Sequence, residues 1–270
     1  MTVAKAAQPM TAKASASSVA VGKTVAASAA GVKEKASCTF KSSNTAVAAV
    51  NASTGKVTAK KVGTATITVT AAATANYEKT SKAVKISVVP AATDSLTAEN
   101  LATGIRLSWK KVAGATGYKV YRDKTLIKTI TKGSTVTCTD TKANTNGTKY
   151  TYKVVATAST GASTLSKTVA AYRVARPGIS SAASAKAGKM TVKWSSNAKA
   201  TGYQIQYSTS KTFASGNKTA TATGASTVSK TITGLTKGKT LYVRIRTFKT
   251  VGGKKYYSAW SAAKTVKVKK

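Results

Sequence analysis

Short apolar runs alternating with polar residues at a period of two extend along the whole chain. Val62-Gly63-Thr64-Ala65-Thr66-Ile67-Thr68-Val69 alternates in this way, as do Tyr118-Lys119-Val120 and Val266-Lys267-Val268. A period of two sends successive side chains to opposite faces, and with the richness in Thr, Val and Tyr it predicts half-buried β-strands. Ala is abundant, but it is interleaved with Ser, Thr and Gly rather than with Leu and Glu, so no amphipathic helix is predicted.

Proline punctuates this pattern. Pro90 follows the strand-like Val84-Lys85-Ile86-Ser87-Val88-Val89, and Pro177 follows Tyr172-Arg173-Val174-Ala175-Arg176. Pro ends ladder pairing and suits a joint between modules. The 270 residues leave room for three β-sandwiches, at roughly 100 residues each. The expected fold is therefore all-β, with three tandem immunoglobulin-like sandwich modules at residues 1–90, 91–175 and 176–270. Joints this short would give an elongated array.

The second and third modules repeat one another. Ile105-Arg106-Leu107-Ser108-Trp109 parallels Met190-Thr191-Val192-Lys193-Trp194, and Ala115-Thr116-Gly117-Tyr118-Lys119-Val120-Tyr121 parallels Ala200-Thr201-Gly202-Tyr203-Gln204-Ile205-Gln206-Tyr207. Gly147-Thr148-Lys149-Tyr150-Thr151-Tyr152-Lys153-Val154 then parallels Gly238-Lys239-Thr240-Leu241-Tyr242-Val243-Arg244-Ile245. In their order and spacing these motifs resemble bacterial fibronectin type III domains. The resemblance implies that Trp109, Trp194, Tyr118, Tyr203, Ile205 and Tyr207 are core residues. Two positions depart from the family pattern: Leu241 stands where a corner tyrosine is expected, and Arg122 stands where the third module has Tyr207.

The first module reads differently. Ser42-Ser43-Asn44-Thr45-Ala46-Val47-Ala48-Ala49-Val50 leads through Thr54-Gly55-Lys56-Val57-Thr58-Ala59 to Val62-Gly63-Thr64-Ala65-Thr66-Ile67. Over residues 13–89 this resembles the bacterial immunoglobulin-like group 2 domain, which implies a Ser-Ser-Asn strand and a Gly-Lys-Val turn. Gly55 permits the positive φ of a tight hairpin, and Gly63 lets the chain enter the next strand.

Charge narrows the chemistry. The chain has 44 Lys plus Arg against 6 Asp plus Glu and no His, for a net charge of +38. The commonest general base and metal ligand is absent. The acids Glu34, Glu78, Asp94, Glu99, Asp123 and Asp140 are scattered, without the close pairing of a glycosidase or a calcium loop. The expectation is a non-enzyme with no catalytic residues, cofactor or metal site. Cys38 and Cys138 lie in different modules beside apolar neighbours and read as buried, inert thiols. No apolar run approaches the roughly 18 residues of a membrane span. The start, Met1-Thr2-Val3-Ala4-Lys5, lacks the apolar stretch of a signal peptide, so export would rely on a leader outside this chain.

Candidate binding residues cluster late in the chain. Arg244 and Arg246 alternate with Val243 and Ile245 and should share the outer face of one strand, with Lys193 nearby. Lys254, Lys255, Tyr256 and Trp260 follow the Gly252-Gly253 turn and combine cations with aromatic surface, a combination suited to a sugar, a base or a membrane surface; packing at a domain edge would explain the same residues. The remaining Lys residues, such as Lys60-Lys61 and Lys110-Lys111, are spread over all modules, and the six Arg residues are few. Sequence-specific nucleic-acid binding is therefore not expected. The Lys coat serves either polyanion adhesion or solubility and edge protection.

The expected function is a monomeric, extracellular binding or spacer segment of a secreted or surface protein from a Gram-positive-type bacterium. Its partners would be cell-wall polymers, anionic glycans or host surface proteins. Two other readings stay open: a released host-directed ligand resembling animal fibronectin type III ligands, and an accessory segment of a modular glycan-degrading enzyme.

Overall fold

The computed structural model describes residues 4–270, and every regular element among them is a β-strand. Residues 11–89 form β1 (Thr11–Ala14), β2 (Ser18–Ala20), β3 (Thr24–Ala30), β4 (Cys38–Ser42), β5 (Ala48–Val50), β6 (Lys56–Ala59), β7 (Gly63–Ala71) and β8 (Thr80–Val89). Next come β9 (Thr97–Asn100), β10 (Ile105–Ser108), β11 (Gly117–Arg122), β12 (Thr125–Ile130), β13 (Thr137–Asp140), β14 (Lys149–Ala158), β15 (Gly161–Ala162) and β16 (Val169–Tyr172). The last set is β17 (Ile179–Ala183), β18 (Met190–Trp194), β19 (Gly202–Ser208), β20 (Lys218–Thr223), β21 (Ser229–Ile232), β22 (Thr240–Val251), β23 (Lys254–Tyr257) and β24 (Lys264–Lys267).

Each set builds its own two sheets. The orders are β1-β3-β6-β5 with β2-β8-β7-β4, then β13-β10-β9 with β12-β11-β14-β15, then β17-β18-β21 with β20-β19-β22-β23. In the second and third sets, β16 and β24 also pair with β14 and β22. The fold is all-β, a tandem series of immunoglobulin-like sandwiches. Chain contacts divide it into two compact units, residues 1–96, 109–136 and 153–168, and residues 97–108, 137–152 and 169–270.

In the first unit, Val19, Ala27, Ala48, Val57, Ala65, Ile67, Ile86 and Val88 close a core between the two sheets of residues 11–89. Small Ala and Val side chains make up most of this core, and half-buried Phe40 packs against it. Gly55 has φ +69°, and a Cβ there would lie 2.2 Å from the Ala27 carbonyl oxygen and 2.9 Å from the Phe40 ring. Both the turn and the close approach require glycine. The expected Ser-Ser-Asn strand is cut short, however. β4 ends at Ser42, and the Asn44 side chain accepts hydrogen bonds from Ala46 N (3.1 Å) and Val47 N (3.2 Å). Capping its own neighbours turns the chain before β5 begins.

The same unit holds Trp109, whose ring meets Tyr118 edge-on at 5.2 Å. The Tyr118 hydroxyl accepts from Val112 N (3.0 Å) and donates to Gly133 O (3.3 Å). In the second unit, Trp194 and Tyr203 repeat the arrangement at 5.3 Å. There the Tyr203 hydroxyl accepts from Asn197 N and donates to Ala225 O, both at 2.6 Å. Both tryptophans are buried, so these aromatics are core residues. Met190, Val192, Ile205, Ile232, Val243, Ile245 and Val266 complete the core of the third set, and Tyr207 packs against it half-buried at the end of β19.

The cysteines depart from expectation: both are half-buried rather than buried. Cys38 lies on β4 and Cys138 on β13, each the edge strand of its sheet, where a neighbour covers one side only. The Cys38 thiol points at the Ala36 carbonyl oxygen, 3.8 Å away.

Candidate functional site

β22 carries the candidate site. Val243 and Ile245 face inward and are fully buried, so Arg244 and Arg246 between them take the outer face. Each arginine is braced from the strand alongside. Arg244 lies opposite Gln206 and Arg246 opposite Gln204 in the β19–β22 register. Arg244 Nε donates to Gln206 Oε1 at 2.8 Å, and Arg246 Nε donates to Gln204 Oε1 at 2.9 Å.

Aromatic rings fill the spaces around the guanidinium groups. Arg244 Cζ lies 4.1 Å from the centre of the Phe213 ring and 4.7 Å from that of Trp260. Arg246 Cζ lies 4.3 Å from Trp260 and 3.7 Å from Tyr257. The result is a ladder in the order Phe213, Arg244, Trp260, Arg246, Tyr257. Trp260 serves both cations, and its π face offsets part of the repulsion between them. Burial lowers the pKa of both guanidinium groups from the usual value, and the neighbouring charge of Arg244 lowers that of Arg246 further. Both nonetheless remain cationic at neutral pH.

A serine pair puts Trp260 in place. Ser258 N donates to Thr247 O (2.9 Å), while Thr247 N donates to Ser258 Oγ (3.0 Å). Ser261 does the same with Ile245: Ser261 N donates to Ile245 O (2.8 Å), and Ile245 N donates to Ser261 Oγ (3.1 Å). Each serine thus satisfies both backbone groups of one β22 residue. The serines are three residues apart, yet the strand positions they serve are two apart. The extra residue bows outward and delivers Trp260 over the gap between Arg244 and Arg246. β14 is clasped identically, Ser163 serving Ala156 and Ser166 serving Val154. There, Leu165 holds the place of Trp260 and is 48% exposed, while Lys153 and Val155 hold those of the arginines. The clasp belongs to both repeats; among the described residues the ladder stands in the third set of strands, on β22.

The structure therefore brings Arg244, Arg246 and Trp260 together. Lys254 and Lys255 project from the exposed β23 hairpin, and Tyr256 turns toward Tyr172, with ring centres 4.8 Å apart. Lys254 Nζ lies 5.2 Å from the Tyr256 ring, and Lys255 Nζ lies 4.7 Å from the Phe248 ring. Lys193 is not near the arginines. It sits on β18 in the other sheet, between inward-facing Val192 and Trp194, and so lies on the opposite outer surface. Alternation alone could not say which sheet each strand joins. Phe213, Tyr257, Gln204 and Gln206 were not among the candidates. The signals for them were the glutamines alternating with Tyr203 and Ile205, and a Ser-x-x-Ser spacing shared by both repeats. Among the described residues, no group of three or more His, Cys, Asp or Glu could hold a metal ion, and no helix is long and apolar enough to cross a membrane.

Residues 21–73 match the family described as the intimin immunoglobulin-like domain. This segment spans β3 to β7 and includes the Gly55 hairpin and Gly63. No curated protein matches the chain. One solved structure similar to it is the crystal structure of the chicken CNTN1 FN1–FN3 domains, at 16% identity and TM-score 0.39, covering 97% of this chain and 99% of that one.

Proposed function

We propose that this chain is a non-catalytic, extracellular segment of a bacterial surface or secreted protein that adheres to anionic glycans. Residues 1–90, 91–175 and 176–270 are its three modules. The likeness of residues 21–73 to the immunoglobulin-like domain of intimin supports a modular, adhesin-type setting. The observation that carries the reading is the ladder on β22. Its two guanidinium groups are fixed by glutamines and rings, while their Nη atoms make no hydrogen bond among the described residues. A prearranged guanidinium pair offers forked donors to sulfate or carboxylate groups along a polymer, and the surrounding excess of Lys raises the rate of encounter.

The test is binding of the chain to bacterial walls, heparin-like glycans and host receptor ectodomains across a salt series, alongside the Arg244→Gln/Arg246→Gln variant. Adhesion through the ladder predicts glycan binding that the double variant weakens more than the removal of two distant lysines does. Retention on every polyanion that disappears at moderate salt, with no difference in the variant, would reduce the surface to general Lys electrostatics. Saturable, salt-resistant binding to one receptor would replace the reading with that of a host-directed ligand.

A further inference from the structure

The connection between β19 and β20 is much longer than the fold requires. In the preceding repeat the same strands, β11 and β12, are joined by Asp123 and Lys124 alone, whereas here the chain runs from Thr209 to Asn217. The added loop is internally braced. Ser208 Oγ donates to Ser215 O (2.7 Å), Ser210 N donates to Ser208 Oγ (3.0 Å), and Asn217 Nδ2 donates to Phe213 O (2.7 Å). Phe213 is 8% exposed and has φ +57°, a left-handed conformation uncommon for a bulky side chain. An ordered insertion holding a strained residue is where function concentrates on a β scaffold.

Beneath this loop lies a cavity of about 190 Å³, lined by Tyr207, Lys218, Leu235, Lys239 and Leu241 among others. Two strands run their inward faces out to it. On β20 the inward alternation of Ala222 and Ala220 ends on Lys218, directly opposite Tyr207. On β22 the inward alternation of Ile245, Val243 and Leu241 points back to Lys239, just before the strand begins. Core-facing registers that finish on lysines aim cations into the cavity mouth. Tyr207 is half-buried, and its hydroxyl makes no hydrogen bond among the described residues. Leu241 stands where the middle repeat has Tyr150 and leaves space that a phenol ring would occupy.

We propose that this cavity is a subsite for one acidic pyranose unit, its carboxylate or sulfate held between Lys218 and Lys239 and its ring against Tyr207 and Leu235. The volume falls below that of drug-sized pockets and suits a single small ring. Two ammonium groups over an apolar floor match an anionic substituent on a sugar face. The choice of ligand rests on the glycan-adhesin reading above, but the site is separate from the arginine ladder.

The experiment titrates the full chain with glucuronate, glucose 6-sulfate and neutral glucose, read by amide chemical shifts. The expected result is saturable binding of at least one anionic sugar but not of glucose, with shifts centred on Tyr207, Lys218 and Leu235. Lys218→Gln/Lys239→Gln should weaken it about tenfold or more. Leu241→Tyr, which refills the cavity with the residue of the other repeat, should abolish it. Lys60→Gln/Lys61→Gln should leave it within about twofold, as expected for groups outside the site. Absence of saturable binding by either anionic sugar would overturn the proposal, as would equal loss in the Lys60/Lys61 variant or full binding by the Leu241→Tyr chain. Polymer adhesion that survives such a result would leave the wider reading standing and remove only this subsite.

Discussion

Tyr152 donates its hydroxyl to Asp140 Oδ2 at 3.0 Å, and both residues are buried. The next repeat fills the matching places with Val243 and Ile232. Asp140 lies across from Ile105, as Ile232 lies across from Met190, and Tyr152 follows Gly147 at the interval by which Val243 follows Gly238. One β-sandwich plan thus accepts either a polar pair or an apolar pair at this point. Asp140 Oδ1 also accepts from Lys142 N (3.1 Å), so its carboxylate is held from two directions.

From this pair we predict an asymmetry between single and double replacement. Tyr152→Phe removes one donor from a buried carboxylate and should destabilise the chain by about 1–3 kcal/mol. Asp140→Leu should cost at least as much, because it removes an acceptor from both the phenol and the Lys142 N–H. Tyr152→Phe with Asp140→Leu should cost clearly less than the sum of the two, since removing both partners leaves no orphaned charge. Urea unfolding of the four proteins gives the coupling energy. Strict additivity would show that the hydrogen bond contributes nothing of its own.

The serine clasps make a second prediction. Ser258→Ala leaves the buried Thr247 N–H without its acceptor and should cost about 1–3 kcal/mol. Ser163→Ala should cost a similar amount through Ala156 N. Amide hydrogen exchange is the direct check. Thr247 and Ala156 should lose protection in their respective variants, whereas Thr→Ser at exposed Thr219 should change neither.

How much of this was legible from sequence depended on range. Period-two alternation located β7, β11 and β24, and the two prolines lie just beyond β8 and β16. Trp109 and Trp194 could be assigned to the core because repeated spacing and alternation agreed. What alternation cannot provide is the partner of a strand. That is why Lys193, outward-facing as expected, belongs to a different sheet from Arg244. The ladder was hidden for a related reason: Phe213, Trp260 and Gln206 come from three separate segments and meet only once β19 and β22 pair. The turn at Asn44 went unread because a strand-like composition concealed an asparagine able to cap its own backbone.

Trp260 is the shared rung of the ladder, and its removal should expose what the ring does. Trp260→Ala deprives two guanidinium groups of a π face and should cost about 1–3 kcal/mol, at about 0.5–1 kcal/mol or more for each contact. Trp260→Phe should recover part of the loss. Arg246→Lys should not substitute for arginine, because an ammonium cannot both stack between Trp260 and Tyr257 and keep the planar Nε bond to Gln204. Thermal unfolding ranks the variants, and Trp260 fluorescence should shift to the red in Arg246→Lys as the ring loses its cover. An unchanged melting temperature in Trp260→Ala would mean that the serine clasp alone holds the segment.

A pH effect should appear at Glu34. Hydrogen bonds from the Thr74 side chain and then from Asn76 hold its carboxyl below the usual pKa, outweighing a small opposing effect of burial. Asn76 donates to it through both the backbone N–H (3.3 Å) and the side-chain amide. Because the folded pKa is depressed, the stabilisation is present above the ordinary carboxylate pKa and is lost as the pH falls through the lowered folded value. The group is fully exposed, so the effect is local: the Asn76 and Tyr77 amides should move together in NMR spectra only in this acid range. Glu34→Gln should flatten that titration at Asn76 while leaving the core amides of Ile67 and Ile86 unmoved. A titration at Asn76 that persists in the variant would overturn the assignment of the proton to Glu34.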